Sequence, residues 1–209
     1  MPEPFVYVVD DEPAIRESLA MLLRSVGLES RVYPDAHSFL DRLQPDARAC
    51  LIADVRMPGM SGLDLQEALR SRGSTLPMII ITGHGDVAMA VRAMKAGAAD
   101  FIEKPFNDQT LLDAVNRAFA QLPEPGSRVV AASGREAAEV AVRVEALTPR
   151  EREVMLLVAD GKPNKVVATR LGLSTRTVEV HRARVMEKME ARSLADLVRM
   201  VIAAGLSAS

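Results

Sequence analysis

Aromatic side chains are nearly missing from this chain of 209 residues: they make up 3% of it, with two tyrosines and no tryptophan. Stacking of bases or sugar rings on aromatic faces is therefore excluded as its main means of binding. Cysteine occurs once, so no internal disulfide can form. Cys50 lies in the apolar run "ACLIADV", where it is expected to fill core in a reducing cytosol. No apolar run approaches the ~18 residues of a membrane span. The N-terminal "MPEPF" has neither the basic nor the apolar region of a secretion signal. A cytoplasmic protein without a membrane partner is the expectation.

What is present is ordinary globular material, 48% apolar and 26% charged, in a length that suits one or two domains. The net charge of −2 hides an asymmetry. Residues 1–122 hold 17 acids against 12 bases, and residues 123–209 hold 11 acids against 14 bases. A basic half hints at a polyanionic partner, although so small an excess decides nothing alone.

The first 120 residues alternate between two patterns. Short β-branched runs at 5–9, 30–33, 49–53, 77–82 and 99–103 read as strands. Helical periods cover 14–25, 62–72 (after Ser61 as N-cap, ending at Gly73), 87–96 (after Asp86, ending at Gly97) and 108–120 (after Asn107). Runs such as "MIII" lack polar alternation, which marks strands buried on both faces. The expected architecture is α/β: five βα units around a doubly wound, five-stranded parallel sheet, flavodoxin-like in class. Residues 123–146 lose the period and read as a linker, with an Ala/Glu-rich stretch at 135–147 compatible with either coil or helix. "TPRE" at 148–151 then has the form of a capping box. Helices are expected at 149–160, 164–171, 175–189 and 194–204, with "LGLS" (171–174) as the turn of a helix-turn-helix in a small all-α domain.

Two places concentrate chemistry. "VVDDE" (8–12) runs an apolar strand into three carboxylates. Two like charges ~4 Å apart repel by roughly 4 kcal/mol at an effective dielectric of ~20, so a cation is needed nearby. Asp10 and Asp11 end the first strand, Asp54 the third, Thr82 the fourth and Lys104 the fifth, all at the edge where open α/β sheets build their sites. An Asp after a strand is often only an N-cap, and Glu12 reads as a first-turn acid favoured by the helix dipole. Five polar residues at equivalent strand ends are harder to explain that way. Converging carboxylates of this kind suit a hard, part-hydrated cation such as Mg²⁺.

On these residues, together with "DVRMPG" and "KPF", residues 1–122 resemble the receiver domain of two-component response regulators. The resemblance implies that Asp54 is the phosphoacceptor, taking phosphorus from a sensor histidine kinase (FixL-like). It implies Mg²⁺ (or Mn²⁺) held by Asp11, Asp54 and the backbone carbonyl of Arg56, with Asp10 acting partly through water. Thr82 and Lys104 would bind phosphoryl oxygens, Lys104–Pro105 would be cis, and Phe101 would be the switch aromatic, rotating inward. Such a domain is no turnover enzyme: it phosphorylates itself with the metal's help and slowly loses the phosphoryl group.

Residues 147–209, through "LTPREREVM", "NKVVATRLGLSTRTVEVHRARVMEKM" and "ARSLADLVRM", resemble the NarL/FixJ (LuxR-type) class of DNA-binding domain. Val166 and Val167 depart mildly from its pattern, with packing the expected consequence. At about 100° per residue, Val178, Val185 and Met189 share one face of 175–189 with His181 and Arg182 beside them, while Arg176, Glu179, Val180, Ala183 and Arg184 project oppositely. A recognition helix offers its N-terminal half to base edges. Glu179 suits cytosine N4, and Val180 or Ala183 a thymine methyl. Lys165, Arg176, Thr177, His181, Arg182, Arg184 and Lys188 would be phosphate contacts. Seven bases against two acids over 162–188 are also what a solvated helix face shows, so the motif carries the inference.

Taken together, the resemblances imply a transcription regulator, most simply an activator of nitrogen-fixation genes acting on promoter DNA and RNA polymerase. Phosphorylation would make it a homodimer through residues about 86–119. Two rivals stand beside this. A Mg²⁺-dependent phosphohydrolase would also use a strand-end Asp, but Arg56 occupies the position two residues after Asp54 where a second Asp could act as general acid. A constitutive DNA-binding protein would keep the receiver as scaffold only.

Overall fold

A computed structural model describes residues 4–44, 48–83, 87–122 and 132–206, with side chains omitted for 132–138. They separate into two compact units, Met1–His84 with Ala96–Pro125, and Gly85–Lys95 with Gly126–Ser209.

The first unit is built on β1 (Phe5–Val9), β2 (Glu29–Tyr33), β3 (Ala49–Asp54), β4 (Met78–Thr82) and β5 (Asp100–Glu103), all parallel in the order β2-β1-β3-β4-β5. β1, β3 and β4 are buried throughout, as runs without alternation require. Their alternate residues serve two cores. Val6, Val8, Cys50, Ile52, Ile79 and Ile81 pack with Leu19 and Leu23 of α1 (Pro13–Ser25) and with Leu111, Ala114, Val115 and Ala118 of α5 (Asp108–Ala120). In the remaining aromatic group, Tyr7 meets Phe5 edge-on at 4.8 Å and Phe39 at 5.1 Å. Phe39 lies on α2 (Ala36–Leu40), a helix the sequence pattern does not reveal: five residues are too few to show a period. Asp35 caps it, accepting from Ser38 N at 2.8 Å. Cys50 is fully buried, and burial pushes its thiol up to about 12, as core filler requires.

Ser61 caps α3 (Gly62–Ser71) in a complete capping box with Asp64, and Asn107 caps α5. Glu12 differs from expectation. It is the N-cap residue of α1 rather than a first-turn acid, and its side chain makes no capping bond because the helix opens at Pro13. Asp86, expected as the cap of α4 (Val87–Lys95), lies outside the described residues. α4 groups with the C-terminal helices in the second unit, of which its period alone carries no sign.

The rest of the second unit is α6 (Ala132–Glu145), α7 (Pro149–Ala159), α8 (Asn164–Leu171), α9 (Thr175–Lys188) and α10 (Leu194–Ala203). Of the linker left open between coil and helix, 132–145 is helical, and Val140 and Val144 are buried. Residues 123–131 lie outside the described residues. Thr148 and Glu151 form the capping box of α7 with Pro149 at its first turn. Gly172 ends α8 in the left-handed conformation, φ 65°, which lets the N–H of Leu173 reach back to Ala168 O at 2.9 Å and turns the chain sharply into α9. Among the described residues no helix is long and apolar enough to cross a membrane.

Candidate functional site: an acidic strand edge and an exposed helix face

Register assembles the first site. Val9 pairs with Ala53, so Asp10 and Asp54 emerge side by side. Asp54 pairs with Ile81, and Thr82 with Glu103, which brings Thr82 and Lys104 to the same edge. Lys104 Nζ lies 2.8 Å from Asp54 Oδ1 and 3.1 Å from Asp10 Oδ2, bridging the two carboxylates. This ammonium is the nearby cation that the crowded acids call for. The side chains of Asp10 and Asp54 are 1% and 8% exposed, and Thr82 is fully buried. Burial holds the Asp10 carboxyl above its ordinary range, against the opposing hydrogen bonds from Glu12 N and Lys104. Burial also weighs against charge on Lys104, but its bonds to Asp54 and Asp10 prevail and hold its pKa up.

The carboxylate of Asp54 is fixed by its own loop: Oδ2 accepts from Arg56 N at 2.5 Å. Asp10 is likewise fixed, Oδ1 accepting from Glu12 N at 2.9 Å. The Lys104–Pro105 bond is cis, as the resemblance implies. Asp11 is exposed and does not close a three-carboxylate cluster with Asp10 and Asp54; among the described residues no group of three acidic, His or Cys side chains is arranged to hold an ion. The expectation of three converging carboxylates is thus met by two. The donor set still fits Mg²⁺, which commonly takes only one or two carboxylates and fills its shell with water and phosphate oxygen. Phe101, on β5, is buried, 8% exposed.

Two residues of this site escaped the sequence reading. Arg16, one turn into α1, donates from Nη1 to the carbonyl of Asp10 at 2.7 Å and steadies the loop that carries it. Gly62 lets α3 lie against the backbone of Asp54 and Val55. A Cβ there would strike the carbonyl of Asp54 and stand 3.2 Å from Val55 Cα. A glycine directly after a capping serine was the available signal.

The second site is one face of α9. Arg176, Glu179, Val180, Ala183 and Arg184 are exposed, Val178, Val185 and Met189 are buried, and His181 and Arg182 lie between. Lys165 is exposed on α8. The Thr177 hydroxyl is shared with the N-cap Ser174, 2.8 Å away, and Arg182 Nη1 reaches Asn164 Oδ1 at 3.4 Å. His181 Nδ1 is buried without a hydrogen-bond partner. Of the pair expected to act through packing, Val167 does so, while Val166 is 39% exposed. Lys188, expected as a phosphate contact, has its ammonium 2.7 Å from Glu151 Oε2.

An acidic strand edge of this kind, followed by a helix-turn-helix, defines a phosphorylation-controlled regulator of transcription. Residues 6–116 match the family model described as "Response regulator receiver domain", and residues 145–201 match "Bacterial regulatory proteins, luxR family". The chain belongs to the two-component response regulators, with a LuxR-type DNA-binding domain. It is 49% identical over 208 residues to the Transcriptional regulatory protein FixJ of Azorhizobium caulinodans, covering 99% of this chain and 96% of that one. It is 49% identical over 204 residues to Nodulation protein W of Bradyrhizobium diazoefficiens, covering 98% and 88%. A crystal structure of full-length FixJ from B. japonicum is similar with a TM-score of 0.54 and 43% identity, covering 98% of both chains.

Proposed function

We propose that this protein acts in the cytoplasm, where Asp54 accepts a phosphoryl group from a sensor histidine kinase, FixL-like by the resemblance. One Asp54 carboxylate oxygen attacks phosphorus, the bond from phosphorus to the kinase imidazole nitrogen breaks, and a mixed anhydride forms on Asp54. The bridging Lys104 is the observation that carries this reading: a cation already placed between two buried carboxylates supplies charge where phosphoryl oxygens gather. Asp54 and the carbonyl of Arg56, with Asp10 through water, would hold Mg²⁺ or Mn²⁺, and the exposed Asp11 would turn in to join them. That ion would neutralise charge on the transferring group. Thr82 binds a phosphoryl oxygen, and Phe101 couples its position to residues about 86–119, the surface of an active homodimer. The receiver loses its phosphoryl group by its own slow hydrolysis.

In the second site Glu179, Val180 and Ala183 read base edges. Lys165, Arg176, Thr177, His181, Arg182 and Arg184 position the helix on phosphates. The dimer binds paired half-sites in promoter DNA and engages RNA polymerase as an activator, of nitrogen-fixation genes by the FixJ likeness. Turning such a switch from 1:99 to 99:1 takes ~5.5 kcal/mol of differential stabilisation, within reach of a dianion clamped by metal, lysine and hydroxyl.

The test compares wild type with Asp54→Asn in acetyl phosphate and Mg²⁺. Wild type is expected to gain one phosphoryl group by intact mass, to dimerise and to bind DNA more tightly, and the variant to do none of these. Equal labelling of both would remove Asp54 from the chemistry; labelling of wild type without dimerisation would leave the receiver a scaffold.

A further inference from the structure

The last turn of α9 is held at three points. Lys188 Nζ donates to Glu151 Oε2 at 2.7 Å and to the carbonyl of Ala146 at 3.2 Å. The Glu151 side chain, 3% exposed, also accepts the N–H of Thr148 at 2.9 Å, so one carboxylate ties the cap of α7 to the end of α9. Just past α9, Glu190 pairs with Arg143 of α6 at 2.9 Å. Met189, between these polar ties, is fully buried. Arg143 precedes the region matched by the LuxR-type model, so part of the hold comes from a helix outside the family's common core. Two of the three ammonium donors of Lys188 are thus taken up inside the domain. Drawing the ammonium out would strand Glu151 without its counter-charge, and uncompensated buried charge is among the costlier defects a fold can carry.

We propose that Lys188 is a positioning residue of the recognition helix and not a DNA phosphate contact. It sets how far the face of Glu179, Val180 and Ala183 projects by tying the C-terminal end of α9 to α7 and to the chain leaving α6. This rests on the reading of α9 as the DNA-facing helix.

The experiment uses the full chain phosphorylated with acetyl phosphate and a duplex selected by the wild type from a random-sequence library. Each phosphate contact contributes ~0.9 to the slope of log K against log salt. Lys188→Gln is expected to weaken binding roughly tenfold, the low end for losing a charged hydrogen bond, with the wild-type slope retained. Lys188→Arg restores most of the affinity, whereas Arg184→Gln lowers the slope by ~0.9. A slope lowered by that amount in Lys188→Gln would overturn the proposal.

Amide hydrogen exchange over residues 183–189 reads the tie without DNA. Lys188→Gln and Glu151→Gln should each speed exchange, and the double variant should be no faster than the singles. Unchanged exchange in both singles would overturn the tie. Should the wild type select no duplex, the DNA-facing reading of α9 fails, and with it the positioning role, while exchange still decides whether the tie exists.

Discussion

Replacing Gly62 by alanine sets two effects of opposite sign against each other. In an open helix the substitution helps, because alanine loses less backbone freedom on folding, by about 0.5–1 kcal/mol. At this position the new methyl meets main chain: the Asp54 carbonyl in direct collision and Val55 Cα at 3.2 Å. Overpacking a rigid neighbour costs about 1–3 kcal/mol, and backbone that is also β3 cannot step aside as a side chain would. The net expectation is a loss of about 1–2 kcal/mol, lowering the melting temperature of the N-terminal unit by roughly 3–10 °C. Tyrosine fluorescence reports this unit alone, because the chain's two tyrosines are Tyr7 and Tyr33 and it has no tryptophan. Displacement of the Asp54 backbone should also slow phosphorylation by acetyl phosphate about tenfold or more, since ~1 Å of misplacement can cost 10²-fold. Gly83→Ala, where a Cβ meets nothing within 4 Å, is the stability control. A Gly62→Ala protein that melts at or above the wild-type temperature would refute the reasoning.

Lys104→Ala should destabilise the receiver without metal by about 2 kcal/mol, below the 3–5 of a fully buried pair because Lys104 is 20% exposed. Mg²⁺ should recover more melting temperature in this variant than in wild type, because no ammonium competes for Asp10 and Asp54; thermal scans with and without the ion check both. The Glu151 carboxyl is drawn down to about 2 from 4.5 by Lys188 and by the Thr148 N–H. A depressed folded-state pKa gives stability that is whole above pH 4.5 and disappears as pH falls through about 2. The shift corresponds to ~3 kcal/mol, which solvent around the third-exposed Lys188 reduces to about 1–2. Unfolding of the C-terminal unit followed from pH 6 to 2 should lose that much in wild type and far less in Glu151→Gln.

Strands and capped helices were legible because each signal is local. Ser61, Asn107 and Thr148 all cap where their side chains and spacing indicate. The acid–lysine site was legible because parallel register carries every strand end to one edge. Three things were not. α2 is shorter than one and a half turns and shows no period. Gly62 matters through a neighbour eight residues away, a proximity that no spacing rule contains. Lys188 looks like any basic residue on a wheel, and only the burial of Glu151, set by how α7 meets α9, shows where its charge goes.

Neighbouring side chains on a strand point to opposite faces, so sliding any one strand by a single residue would turn its terminal polar group away from the others. Asp10, Asp54, Thr82 and Lys104 meet only when three separate pairings are correct at once. If Asp54 takes the phosphoryl group as proposed, a misthreaded or half-formed receiver would be deaf to a kinase, and the mark would certify that the molecule carrying it had folded.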